Sequence, residues 1–372
     1  MKKGKEYIKL LVEGIKSELN YHVVEKFFVN LKKVIENCGQ ILNKNELNEL
    51  FKNVKEIFEE KKKKRDQLCS CKKPKKKHND DDEDDYNIQD LIEEDIEDIE
   101  SIQTEIADCI GILLKTHKPL ADDIISNILK EIIPVYSNSE NMFEVKMGLY
   151  MVDDLIEYIG QDMLGDENWN LMFNIITKLV TNKDNSIRQA AAYGIGNFAK
   201  FTTKNFDNYS KALIDSIYNA MNIKNEGEEE ENDEEYDSFG IAFDNIVAAL
   251  GKIINYQFNS QVVQAGIIEL VNKWIMNLPI KYDKVEMGPQ HEWLVDLFVM
   301  KRQLINEGLY QKYFETVSKI YENKNSSDKL NLKIKNLFNE FVKTDNNLKQ
   351  VVEDIYKKSD DNLKKKFEKL IK

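Results

Sequence analysis

The sequence is poor in the residues that interrupt helices. Its 372 residues include only 5 prolines and 15 glycines. Alternation of apolar and polar residues, which half-buried strands require, is also scarce. Because proline and glycine are the usual helix breakers, their scarcity leaves long uninterrupted helical patterns. The sequence therefore predicts an all-α protein.

Cysteine and long apolar runs are also few. The 4 cysteines, Cys38, Cys69, Cys71 and Cys109, are unevenly spaced, which does not suggest a disulfide framework. No apolar run reaches the roughly 18 residues that a membrane span needs, and no signal-peptide pattern opens the chain. We expect a soluble protein in a reducing compartment, with no membrane insertion.

Motifs for catalysis or metal binding are missing as well. Cys69 and Cys71 with His78 have no second pair of ligands at zinc spacing. The other histidines, among them His117 and His291, stand apart from any nucleophile or carboxylate motif. We therefore expect no enzyme, no metal and no cofactor.

The charge has one dominant sign. With 53 Lys and Arg against 66 Asp and Glu, the formal net charge is −13. Such acidity argues against direct nucleic-acid binding and favours basic protein partners.

The segment Ser186–Lys200 carries the clearest helical pattern. Its apolar and small residues recur at helical spacing, which indicates one buried face. The residues of that face are Ile187, Ala190, Ala191, Gly194, Ile195 and Phe198. Alanine and glycine in the middle allow a neighbouring helix to approach closely. The turn before the helix places Asp184 four residues ahead of Arg188.

This combination is typical of the inner helix of a HEAT repeat. In HEAT arrays an Asp and an Arg at these positions link successive repeats by charge-assisted hydrogen bonds. The alternative for Asp184 and Arg188 is an ordinary surface ion pair worth under about 1 kcal/mol.

Helical patterns elsewhere come in pairs that recur about every 40 residues, as in HEAT and armadillo arrays. We predict a right-handed α-solenoid of about eight HEAT hairpins. The predicted hairpins pair 5–17 with 20–38, 44–67 with 87–117, 119–136 with 142–160, 167–181 with 186–201, 206–222 with 239–257, 260–277 with 290–306, 309–322 with 327–343 and 346–357 with 360–371. The prolines Pro119, Pro134, Pro279 and Pro289 lie at or near predicted helix ends.

These patterns suggest four regions. The first hairpins occupy 1–68, a charged flexible insertion follows at 69–86, and further hairpins occupy 87–345 with an acidic loop at 224–237. Lys-rich capping helices form the last region, 346–372.

Two charged stretches leave their roles open. The first runs from Lys61–Arg65 through Lys72–Lys77 to Asp80–Asp85 and is expected to remain mobile. Lys72–Lys77 has the composition of a nuclear localisation signal, or it is a basic loop neutralised by the adjacent aspartates. The second stretch, Glu226–Asp237, either attracts basic cargo or is solvated filler.

Four segments together resemble importin-β-type nuclear transport receptors of the karyopherin β3 type. They are Met147–Tyr158, Ile187–Gly196, Asn245–Ile254 and Trp274–Pro279. Their order and spacing agree with the family across residues 140–305.

The resemblance implies the C-terminal third of a receptor that carries basic cargo through the nuclear pore and releases it to Ran-GTP. It implies three classes of partner: cargo proteins with nuclear localisation signals, FG-repeat proteins of the pore, and Ran-GTP. The Ran-GTP contact is expected mainly through N-terminal repeats that this sequence does not contain. The expected location is the cytoplasm and the nucleus, with shuttling between them.

In this family the second helix of each hairpin lines the concave surface. The predicted cargo-binding residues are Asp153, Asp154, Glu157, Asn197 and Asn245. Carboxylates there can pair with Lys or Arg of cargo, and Asn amides can hydrogen-bond an extended cargo backbone. In the competing interpretation Asp154 or Glu157 satisfies the adjacent repeat.

A second hypothesis is a HEAT scaffold, such as a phosphatase regulatory subunit. Such a scaffold would share the hairpins and the Asp184 turn but not the four resembling segments.

Overall fold

The computed structural model describes residues 2–71, 83–224 and 237–371, and every regular element in these ranges is helical. The all-α prediction is therefore confirmed. The helices are α1 Lys2–Ser17, α2 Tyr21–Cys38, α3 Lys44–Cys71, α4 Glu83–His117, α5 Asp122–Asn127, α6 Ile133–Tyr136, α7 Met142–Asp154, α8 Gln161–Leu179, α9 Asn185–Phe201, α10 Asp207–Met221, α11 Ser238–Tyr256, α12 Gln261–Met276, α13 Lys284–Lys301, α14 Tyr310–Ile320, α15 Asp328–Leu337, α16 Asn346–Lys358 and α17 Asp361–Ile371. None of these helices is long and apolar enough to cross a membrane.

The chain divides into two compact units, Met1–Asn168 and Trp169–Lys372. Inside each unit, successive first helices of the hairpins pack on one another, as α10, α12 and α14 do. Successive second helices do the same: α2 contacts α4 and α4 contacts α7 in the first unit, whereas α9, α11, α13 and α15 follow one another in the second. Each unit thus has two layers of helices around its own apolar core.

Polar side chains set where the second helices begin. Asn141 Oδ1 accepts a hydrogen bond from the Phe143 N–H at 2.9 Å before α7, and Asp237 Oδ1 accepts from the Gly240 N–H at 2.8 Å before α11. Because the first N–H groups of a helix have no partner within it, such acceptors stabilise each start by about 1 kcal/mol.

Small residues allow the second helices to approach closely. A Cβ atom built on Gly196 of α9 would lie 2.6 Å from Lys252 Cδ and 3.5 Å from Ala249 Cα of α11. A Cβ atom built on Gly251 would lie 2.6 Å from Trp274 Nε1. Neither position has room for a larger side chain unless its neighbours move.

Two prolines lie inside helical segments, contrary to the expectation that they mark helix ends. Pro289 is in the interior of α13, where the carbonyl that it leaves unbonded belongs to the exposed Val285. Pro134 follows a π-turn at Ile128–Ile132, in which the Ile133 N–H bonds to the Ile128 carbonyl. The change in hydrogen-bond register accommodates the missing donor.

The basic run Lys61–Arg65 is not part of a mobile insertion, since it lies within α3. Arg65 is fully buried, and its guanidinium pairs with the Glu144 carboxylate of α7, which Lys62 also contacts. Residues 69–71 belong to α3 and α4 begins at Glu83, so helix occupies part of the predicted flexible segment 69–86. Lys72–Lys77, and Glu226–Asp237 except Asp237, lie outside the described residues.

Candidate functional site

The predicted acidic residues lie at the end of α7. Asp153 and Asp154 are its last two residues, and Glu157 lies in the π-turn Leu155–Ile159 that continues it. Asp153 is only 6% exposed, whereas Asp154 and Glu157 are partly exposed. The three carboxylates therefore do not form one equally accessible row.

Asp154 lies where α7 meets α4. A Cβ atom built on Gly111 of α4 would be 2.4 Å from Asp154 Oδ2, so only glycine leaves space for this carboxylate. Burial is the main cause that raises the Asp154 pKa well above its usual value, and the carboxylates of Asp108 and Glu157 raise it further. Two helices thus place negative charges close together at a partly enclosed position.

Two tyrosines belong to the same surface. Burial and the nearby Asp108 and Asp153 raise the pKa of Tyr150 to about 12. The Tyr158 pKa is also raised, by burial and then by Asp154 and Glu157. We call this surface the acidic–aromatic face, and it consists of Asp108, Tyr150, Asp154, Glu157 and Tyr158.

Three lysines of this chain contact residues of the acidic–aromatic face. Lys32 Nζ lies 2.8 Å from Asp108 Oδ2. Lys115 Nζ lies 6.0 Å from the centre of the Tyr158 ring, and Lys146 Nζ lies 5.7 Å from that of Tyr150. Carboxylates and aromatic rings are the groups that bind ammonium and guanidinium side chains. The face is therefore suited to Lys or Arg of a partner.

The two predicted asparagines are placed differently. Asn197 of α9 and Asn245 of α11 are 3% and 2% exposed. Asn245 Nδ2 donates to the Ile241 carbonyl at 3.0 Å and to Asp283 Oδ2 at 2.7 Å, which links α11 to the start of α13. Packing between neighbouring hairpins thus uses the Asn245 amide in this structure, and its contact with cargo stays a prediction.

Asp184 and Arg188 both organise the turn before α9. Asp184 Oδ1 accepts from the Ser186 N–H at 2.8 Å and from the Ile187 N–H at 3.2 Å. Arg188 Nη1 donates to the carbonyls of Asn182 and Lys183 at 2.8 and 2.9 Å.

The Arg188 guanidinium also lies 5.6 Å from the ring centre of Phe239 in α11. This cation–π contact joins two hairpins, which is the place where a repeat ladder was predicted.

Comparisons with known proteins found similar sequences and similar folds. The family model "Importin repeat 6" matches residues 23–138. Importin subunit beta-3 of Saccharomyces cerevisiae is 25% identical over 205 residues, which are 55% of this chain and 17% of that protein. Both matches are to proteins of the importin-β family, which this chain therefore resembles.

Solved karyopherin structures show the same fold as this chain. Kap121p bound to Ste12p is 18% identical with a TM-score of 0.65, over 97% of this chain and 30% of that one. Kap121p bound to RanGTP is also 18% identical, with a TM-score of 0.59, over 98% of this chain and 30% of that one. The predicted HEAT solenoid is therefore confirmed. The chain spans about a sixth of the curated relative's length, in keeping with the prediction that it corresponds to part of such a receptor.

The family match also extends the sequence resemblance. The resembling segments lie between 140 and 305, whereas the family model covers 23–138, which includes most of α2 and all of α3, α4, α5 and α6. The first unit therefore contains a match to the importin family outside the four resembling segments.

Asp244 is the main structural residue that the sequence reasoning missed. It is 4% exposed in α11, and its Oδ2 accepts from the N–H groups of Lys281, Tyr282 and Asp283 at 2.9, 2.6 and 3.0 Å. A carboxylate on the apolar face of α11 was the available signal, because a buried charge requires such partners.

Among the described residues no group of His, Cys, Asp and Glu could hold a metal ion. Cys69 and Cys71 are exposed free thiols, and His78 lies outside the described residues. Trp274 is fully buried and fills the core.

Proposed function

We propose that this chain is the C-terminal HEAT-repeat region of a nuclear import receptor that binds basic cargo. In this proposal the cargo passes through the nuclear pore, with contacts to its FG-repeat proteins, and Ran-GTP controls its release. The receptor shuttles between cytoplasm and nucleus. Similarity to importin-β-family proteins supports the proposal, as do the similar karyopherin structures bound to Pho4p, to Ste12p and to RanGTP.

The acidic–aromatic face is the observation that carries the cargo proposal. Asp154 is held at an unfavourable position for a negative charge, since burial and neighbouring carboxylates both raise its pKa. A Lys or Arg side chain from cargo would relieve this repulsion and add charge-assisted hydrogen bonds. The rings of Tyr150 and Tyr158 would add cation–π contacts. Strongly perturbed carboxylates of this kind are enriched at functional sites.

The test is fluorescence anisotropy with a labelled basic nuclear-localisation peptide and a scrambled peptide of identical charge. The variant Asp154→Asn/Glu157→Gln removes two charges from the face. The matched control Asp215→Asn/Glu269→Gln removes two exposed charges from the second unit. We expect the native-order peptide to bind more tightly, and the face variant to lose about 10-fold or more in affinity, which corresponds to about 1.4 kcal/mol.

Equal losses in the two variants would mean that only net acidity attracts the peptide. Ran-GTP added to the complex, with Ran-GDP as control, tests release. Selective capture of a phosphatase catalytic subunit in place of cargo would instead support the scaffold hypothesis.

A further inference from the structure

A cavity of about 160 Å³ lies in the second unit, where the turns of two neighbouring hairpins meet. One wall comes from the turn between α12 and α13 and from the first part of α13. The other comes from the end of α14 and the turn that leads into α15. The lining includes Ile280, Lys281, Met287, His291, Lys319 and Lys324.

Three lysines give the rim of this cavity a positive charge, although the whole chain is acidic. Lys281 and Lys324 are exposed, and the Lys319 side chain is 51% exposed. Lys312 lies behind them. Burial is the main cause that lowers the pKa of Lys312, and the positive charges of Lys319 and Lys281 lower it further. We call Lys281, Lys319 and Lys324 the lysine rim.

The carboxylates near the lysine rim are already engaged. Glu315 lies 2.6 Å from Lys319 Nζ on the same helix, and Glu322 lies 2.5 Å from Lys369 Nζ. Asp283 Oδ1 accepts the N–H groups of Val285 and Glu286. Within residues 2–71, 83–224 and 237–371, neither Lys281 nor Lys324 forms an ion pair.

The floor of the cavity is apolar, since Ile280, Met287 and Ile320 are buried there. His291 Nε2 accepts the Ile280 N–H at 3.1 Å, which holds the turn against α13. The helices α13 and α15 both begin at this edge, so the positive ends of two helix dipoles add to the charge of the lysines.

We propose that this cavity binds an acidic peptide segment of a partner protein. A carboxylate side chain of the segment pairs with the lysine rim, and an adjacent apolar side chain contacts the floor. Asn323 and Asn325 line the same cavity. Nothing in this proposal depends on the acidic–aromatic face, which lies in the other unit.

The test is fluorescence anisotropy of the 372-residue chain with a fluorescein-labelled octapeptide, Glu-Glu-Leu-Glu-Glu-Leu-Glu-Glu. A second peptide replaces both leucines by serine at the same charge. The rim variant is Lys281→Gln/Lys319→Gln/Lys324→Gln. The matched control, Lys211→Gln/Lys349→Gln/Lys358→Gln, removes three exposed lysines of the same unit that form no ion pair within the described ranges.

We expect the rim variant to lose at least about 10-fold in affinity for the leucine peptide, whereas the control changes by less than about 2-fold. The serine peptide should bind more weakly, because it cannot contact the floor. Circular dichroism checks that each variant is folded. Equal losses in the rim variant and the control, or equal binding of the two peptides, would overturn the proposal.

The chain's own acidic residues Glu226–Glu235 provide a last arm. If the peptide binds only after these residues are changed to Gln and Asn, the occupant is this segment of the same chain. That result would overturn the assignment to a partner protein.

Discussion

The Asp154 carboxylate destabilises the fold when ionised, and it is also a group that can bind a cation. The carboxylate lies against Gly111 and near Asp108 and Glu157, where neither burial nor the neighbouring charges favour ionisation. A raised pKa in the folded state means that folding favours the protonated acid. Asp154 thus destabilises the fold at neutral pH unless a cation binds.

We predict that Asp154→Asn stabilises the protein at neutral pH. A carboxyl group whose pKa is raised by folding stabilises the folded state fully at a pH below its unfolded pKa, near 3.8. This stabilisation is lost as the pH rises through the folded pKa. The variant should therefore have a higher melting temperature than the parent chain at pH 7 and no such advantage at pH 3.5. Thermal denaturation followed by circular dichroism at both pH values measures this.

Asp215→Asn is the control, because Asp215 is exposed on α10. A similar gain in this control would attribute the effect to net charge alone.

We also predict that His291 makes the second unit sensitive to acid. Burial lowers the pKa of His291 to about 4 from its usual 6.5, and the neutral ring accepts the Ile280 N–H. The stabilisation by the neutral His291 ring is therefore present above about pH 6.5 and is lost as the pH falls towards 4. Each pH unit in this window removes about 1.4 kcal/mol, or roughly 3 kcal/mol in all.

Urea denaturation of His291→Gln between pH 7 and 4 tests this prediction, since glutamine can still accept the N–H but does not titrate. The free energy of unfolding of this variant should fall less steeply, as the pH is lowered, than that of the parent chain. His22→Gln, at an exposed position, should keep the parent slope. If the slope of His291→Gln is unchanged, other groups cause the acid sensitivity.

At the scale of elements, the second helices rely on glycine where they meet. Gly251 of α11 faces Trp274 of α12 and Gln290 of α13, both buried. The contact has no space for another methyl group, so glycine here serves packing between neighbouring helices, although it weakens the helix locally.

We predict that Gly251→Ala destabilises the protein by about 1–3 kcal/mol through overpacking. Its Cβ would lie 2.1 Å from Gln290 Oε1 and 2.6 Å from Trp274 Nε1. Gly266→Ala in α12 is the matched control, because nothing lies within 4 Å of its Cβ. That change should stabilise by about 0.5–1 kcal/mol through helix propensity alone. Urea denaturation compares the two, and a loss of equal size in both would refute the packing explanation.

Across the whole molecule, several acidic residues link neighbouring helices within each unit. Ion pairs cross between second helices, as from Lys333 of α15 to Asp296 of α13 at 2.8 Å and from Lys32 of α2 to Glu105 of α4 at 2.6 Å. Such partly exposed pairs contribute about 0–1 kcal/mol each. The net charge of −13 nevertheless attracts any basic polymer at long range.

We predict that salt weakens the binding of basic peptides much more than it weakens the stability of the fold. Raising NaCl from about 0.05 to 0.5 M shortens the screening length from above 10 Å to below 5 Å. Binding of the scrambled basic peptide should then fall by at least about 10-fold, while the melting temperature changes by only about 2–3 °C because the ion pairs are individually weak. Anisotropy and thermal melts at the two salt concentrations measure both. A large loss of stability in salt would show that the ion pairs between hairpins matter more than their exposure suggests.

The pattern of residues along the chain was enough to predict the helices and their pairing into hairpins. Periodic apolar residues such as Ile187, Ala191 and Ile195 act within a few turns of one helix, so their pattern is visible without the fold. The family resemblance likewise rested on local segments. Pro289 was misjudged because the effect of a proline in a helix depends on which carbonyl it leaves unbonded.

Which polar residues are available to a ligand depends on how the helices pack, and the sequence pattern could not predict it. Asn245 is used by Asp283, Asp154 acquires its neighbours from α4, and the lysine rim assembles residues that are as many as 43 positions apart, from Lys281 to Lys324. Contacts between successive hairpins join residues about 40 positions apart, so a local sequence pattern cannot predict them. Exposure and charge environment therefore follow from the stacking of the hairpins, whereas helix formation follows from the chain within each one.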